Sequence, residues 1–109
     1  MNLMKLSSSK DHLLEKPLQY IYPELYLILT KELEHFNLHP YDVKAGAISY
    51  EDGIKVFLRY GENLSHMKEH FWVWKTIKEN QVELKEYFRS TGEEIKKALI
   101  ADYFKMMKP

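Results

Sequence analysis

The stretch His66-Met67-Lys68-Glu69-His70 offers the sharpest chemistry in this chain. Residues four apart are one turn apart on a helix, so His66 and His70 could both ligate a metal while Glu69 acts as a base. His35 and His39 share that spacing, but Pro40 disfavours helical geometry at His39. A second constellation is Lys55, Phe57 and Arg59, alternating along a β-prone run. Strand alternation puts the three on one face, two cations flanking a ring, which suits phosphate contacts with a base stacked on the ring. A third is the aromatic surplus of Tyr20, Tyr22, Tyr26, Tyr41, Trp72, Trp74, Tyr87 and Tyr103. Rings of this kind supply large contact area with a polar handle, and interfaces are enriched in them.

The spelling H-x-x-E-H carried by His66, Glu69 and His70 resembles that of inverzincin metallopeptidases. The resemblance implies a helical zinc site in a metal-dependent hydrolase, with a third, carboxylate ligand for which Glu93 and Glu94 are the nominees. It covers five residues, and the chain is short for a substrate cleft built around a metal. Five histidines in a helix-rich chain readily fall at this spacing. The reading adopted is therefore two solvent-facing histidines on the first turn of a helix. No metal and no cofactor are expected; His66 and His70 are the ligands named if a metal binds.

Composition narrows the function classes. A chain of 109 residues with 45% apolar and 14% aromatic content is sized for one domain with one core. Sixteen basic and sixteen acidic residues cancel, which removes any whole-molecule attraction to nucleic acid, anionic membrane or acidic substrate. The absence of cysteine excludes disulfides and thiolate chemistry and fits a cytoplasmic protein. The most apolar window, residues 18–29, is short and interrupted by Pro23, so no membrane span is expected. There is no Gly-rich phosphate loop and no nucleophile elbow, so no catalytic residue is assigned and enzyme is the less favoured class.

The elements that must position these residues follow from periodicity. Residues 1–10 are polar and serine-rich and read as a flexible arm, leaving residues 11–109 as a single α+β domain. Pro23 opens an amphipathic helix with Leu25, Tyr26, Leu29, Leu33 and Phe36 on one face, ending near Asn37. Residues 43–60 read as a β-hairpin closed by Glu51-Asp52-Gly53, with Gly53 at positive φ and Tyr50 facing Ile54. That register puts Ile48, Tyr50, Ile54, Val56, Leu58 and Tyr60 on the core face. Val43, Ala45, Ala47, Ser49, Lys55, Phe57 and Arg59 take the half-polar face.

Residues 67–77 fit two periods. The helical reading is preferred and continues to about Arg89; the alternative is a third strand completing a meander. Thr91-Gly92-Glu93-Glu94 spells a capping box, predicting a separate last helix from Thr91. The expected architecture is thus one N-terminal helix, a hairpin and two C-terminal helices packed on one sheet face.

On the helical reading Trp72 lies well round from Trp74 and stays unburied. Trp72, Tyr103, Phe104 and Met107 are then the candidate partner-binding residues. The leading expectation is a small interaction or regulatory module that binds itself or another protein, as a homodimer in the simplest case. The alternative is single-stranded nucleic-acid binding through Lys55, Phe57 and Arg59.

Overall fold

A computed structural model describes residues 14–107, and the expectations placed on residues 1–10 and on the Met107 side chain lie outside what it describes. The fold is α+β, a four-stranded antiparallel sheet in the order β1-β2-β3-β4 with helices on one face. Strand β1 (Lys16–Pro17) leads into a short helix α1 (Leu18–Ile21) and then α2 (Pro23–Glu34). Pro23 sits in the first turn of α2 with Glu24 beside it, where a missing N–H costs nothing and a carboxylate meets the positive helix end. Its apolar positions Leu25, Leu29 and Leu33 are buried. The helix ends at Glu34, short of the Asn37 expected. Asn37 adopts φ 57° and lets the Leu38 N–H reach the Leu33 carbonyl at 3.1 Å, closing the helix by a Schellman motif.

Strands β2 (Val43–Ser49) and β3 (Gly53–Tyr60) form the expected hairpin, but one residue out of the expected register. The closing pair is Tyr50 with Gly53, whose carbonyl accepts from the Tyr50 N–H at 2.7 Å, and Gly53 does not take a positive φ. Ser49 therefore faces Ile54 and Ala47 faces Val56. A slip of one residue turns a whole strand over. Val43, Ala45 and Ala47 are core residues, and Ile48 lies on the opposite face. The face assigned to β3 needs no change: Ile54, Val56 and Leu58 are buried in the cluster with Leu25, Leu29 and Leu33.

The helical reading of residues 67–77 is corrected. His66–Val73 is a strand, β4, paired antiparallel to β3 with His66 opposite Tyr60 and Trp72 opposite Ile54. The preference for helix rested on Lys and Glu propensity, which is a weak prior against a ready-made neighbouring strand. A short helix α3 (Trp74–Glu79) follows, and the Trp74 Nε1–H donates to the Tyr50 and Glu51 carbonyls at 3.2 and 3.1 Å, fastening it to the hairpin turn.

The separate start at Thr91 is corrected as well. Helix α4 runs unbroken from Gln81 to Met107. Thr91 is fully buried on the same stripe as Leu84, Phe88 and Ile95, so its side chain faces the core and cannot turn back to cap. The cap is Asn80, whose Oδ1 accepts from the Glu83 N–H at 3.2 Å while its amide donates to the Glu83 carboxylate.

Candidate functional site

The strand assignment of residues 66–73 decides where the candidate residues go. The hydrogen bond between Tyr50 and Gly53 sets the alternation across the sheet, so Ile54, Val56, Leu58 and Tyr60 of β3 exchange backbone bonds with β4. The even-numbered residues of β4 face α4 and meet it in a ladder. His66 Nε2 lies 3.3 Å from the Asp102 carboxylate, and Lys68 Nζ lies 2.9 Å from that of Glu94. The His70 ring packs on Tyr87 and Trp72 at centroid distances of 4.5 and 4.1 Å, and Trp72 also contacts Phe88.

The metal spelling is thereby taken apart. Four residues along a strand span about 13 Å, against about 6 Å on a helix, and Glu69 projects from the opposite face of the sheet. Among the described residues no group of three or more His, Asp or Glu side chains is placed to hold a metal ion. Glu94, one of the two nominated third ligands, is the partner of Lys68. Burial against the aromatic rings pushes the His70 pKa below its ordinary value, which favours the neutral ring.

Trp72, expected on the surface, is 3% exposed. Its strand neighbours alternate, and the even position points it into the core against α4. Tyr103 and Phe104 are exposed near the end of α4, their rings 5.8 Å apart, with Ile100 one turn earlier on the same side.

Lys55, Phe57 and Arg59 do share one face, the side of the sheet away from the helices. The Phe57 ring, however, is only 9% exposed and lies between the two cations, the Lys55 ammonium at 5.9 Å and the Arg59 guanidinium at 5.6 Å from its centroid. Arg59 also donates two hydrogen bonds to Glu15, and that guanidinium holds the Glu15 carboxyl below its usual range. A base stacking on Phe57 would first have to displace both cations.

The surface that sequence reasoning missed is the outer edge of β4. Met67, Glu69, Phe71 and Val73 point their backbone groups away from β3, and among the described residues no strand pairs with them. Their side chains lie on the open face, where Met67 is 53%, Phe71 38% and Val73 43% exposed. The signal was present as alternation in His66–Val73, but neither alternate set is purely apolar, so the period was weak.

These features define a small α+β protein whose sheet is covered on one face and free along one edge. No protein-family model, curated protein or solved structure matches the chain. Among the described residues no helix is long and apolar enough to cross a membrane.

Proposed function

We propose that the protein is a small interaction module that self-associates through the β4 edge, two copies joining their sheets across a two-fold axis. The observation that carries this is the eight-residue edge strand His66–Val73, whose outward backbone groups and exposed Met67, Phe71 and Val73 coincide on the same four residues. A free edge of this length is a template for another strand, and single-domain proteins commonly shorten, charge or cover theirs. An antiparallel pairing centred on His70 places Met67 opposite Val73 and Glu69 opposite Phe71. Centring it on Glu69 would set two carboxylates face to face, which disfavours that register. The stripe of Ile100, Tyr103 and Phe104 adds a second apolar surface, but unlike the edge it does not specify what would lie on it.

The reading as a nucleic-acid face gains nothing from the placement of Phe57 and Arg59, both already engaged. The self-association is tested by sedimentation velocity from micromolar to millimolar concentration. A monomer–dimer equilibrium is expected. Glu69→Pro removes an outward N–H and should leave a folded monomer, because proline is tolerated where the N–H faces solvent. His70→Pro removes a bond to β3 and should instead damage the fold. A wild-type chain that stays monomeric throughout, or a Glu69→Pro variant that still dimerises, overturns the proposal.

A further inference from the structure

A two-fold joining of β4 edges has an axis, and the register says which residue sits on it. In an antiparallel ladder, outward backbone groups bond only to outward backbone groups. Met67, Glu69, Phe71 and Val73 all find partners in one register alone, Met67 with Val73 and Glu69 with Phe71, and its centre is His70. The backbone of His70 is directed at Val56 of β3, so His70 meets the second copy's His70 as a non-hydrogen-bonded pair. Such pairs bring Cα atoms to about 4.5 Å and set the side chains closest together. Residues directly opposite project to the same face, so both imidazoles stand on the helix side of the joined sheet.

Within one copy the His70 ring lies against Trp72 on its own strand and Tyr87 on α4, so it is not free to turn away from the axis. From β3 its neighbours on this side are Ile54, Val56 and Leu58, all buried, while Tyr60 stacks on His66 further along. On β4 the nearest charge is Lys68, whose ammonium lies 5.1 Å from the centre of the Tyr87 ring and 2.9 Å from the Glu94 carboxylate of α4. The other carboxylate acting on His70 is Glu83 of α4, which accepts from the Asn80 amide at 3.2 Å. Burial holds the His70 pKa below its ordinary value, with Glu83 raising it and Lys68 lowering it. A second strand laid along β4 takes water from the side of the ring still exposed. Two neutral imidazoles fit that setting; two imidazolium rings would be like charges directly opposite, with less solvent around them.

We propose that the self-association is a pH switch, in which protonation of the two His70 rings at the axis separates the copies; this rests on the β4-edge reading. The separated chain accepts the proton more readily than the dimer does. Dimerisation is therefore full above the ordinary histidine range and weakens as pH falls through the monomer's lowered value. The full-length protein is followed by sedimentation velocity between pH 7.5 and pH 5, with circular dichroism on the same samples. The dissociation constant should rise at least about tenfold over that range with the spectrum unchanged. His70→Phe keeps a ring at the axis without the charge, and its dimerisation should not vary with pH. His66→Gln removes the other histidine of the strand and should keep the wild-type dependence. A wild-type dimer indifferent to pH overturns the switch, as do a His70→Phe variant that keeps the dependence and a His66→Gln variant that loses it. Dissociation seen only together with loss of secondary structure overturns it too. A wild-type chain already monomeric at pH 7.5 removes the self-association reading and the switch with it, so the two failures are distinguishable.

Discussion

Glu15 and Arg59 are joined by two hydrogen bonds, one of 2.8 Å between Nη2 and Oε1, across the face of Gly46. The pair clamps the segment entering β1 to β3, with β2 between them. It exists because Gly46 has no side chain: a Cβ there would meet the Glu15 carboxylate. Lys44 and Arg59 are cross-strand partners of like charge, and Glu15 offsets their repulsion.

Gly46→Ala should therefore displace Glu15 and cost about 0.5–1 kcal/mol, the worth of a largely solvated pair. Glu15→Ala should cost about the same, and the double variant no more than either, since all three changes remove one interaction. The Glu15 pKa is lowered by Arg59, so this stability is present above its ordinary value of 4.5 and lost as pH falls through the lowered one. Urea unfolding at neutral and acid pH checks both statements.

His70 predicts a second pH dependence. Its folded pKa is depressed by burial, so below the ordinary 6.5 the unfolded chain takes up a proton that the folded one resists. Stability should be constant above that value and fall as pH drops toward the folded pKa. His70→Phe keeps an aromatic against Trp72 and Tyr87 and should flatten this part of the profile, read from melting temperatures between neutral pH and pH 5.

Asp102 holds the last turns of α4 to the sheet. It accepts from the Glu62 N–H at 3.2 Å and lies 3.3 Å from His66, and the Glu62 bond foremost lowers its pKa. The attachment should be present above the ordinary carboxylate value and weaken as pH falls through the lowered one. Asp102→Asn should raise amide exchange from Leu99 onward while leaving Leu84 to Phe88 protected, which hydrogen-exchange measurement resolves.

Gly92 sets a sign that helix propensity alone would get wrong. Replacing glycine by alanine inside a helix gains about 1 kcal/mol. At Gly92 a Cβ would stand 2.7 Å from Cδ2 and 2.9 Å from Cε2 of Phe36, where α4 crosses the end of α2. Overpacking costs about 1–3 kcal/mol. Gly92→Ala should be net destabilising by about 1 kcal/mol, and Phe36→Leu in the same chain should recover part of the loss; chemical denaturation of the three variants decides it.

The sequence by itself determined the α+β class, the helix opening at Pro23 and the hairpin at residues 43–60, because those signals are local. Pro23 fixes its own dihedral, three- and four-residue spacing marks the face of α2, and β3 alternates cleanly between Ile54, Val56, Leu58 and the charged Lys55 and Arg59. The shared face of Lys55, Phe57 and Arg59 was legible for the same reason. Their engagement by Glu15 was not, since that partner is distant in sequence and reaches Arg59 only over Gly46.

Tertiary structure alone decided what had two local solutions. The register of β2 turned on one hydrogen bond between Tyr50 and Gly53, and that bond reversed the faces of Ala47 and Ile48. Residues 66–73 satisfy helix and strand about equally; the unpaired edge of β3 and the apolar face of α4 selected strand, burying Trp72 and separating His66 from His70. Thr91 spells a cap, yet the core claimed its side chain and the helix ran on. The candidate surface along the outer edge of β4 arises from which strand lacks a neighbour among the described residues, and that property belongs to the assembled sheet.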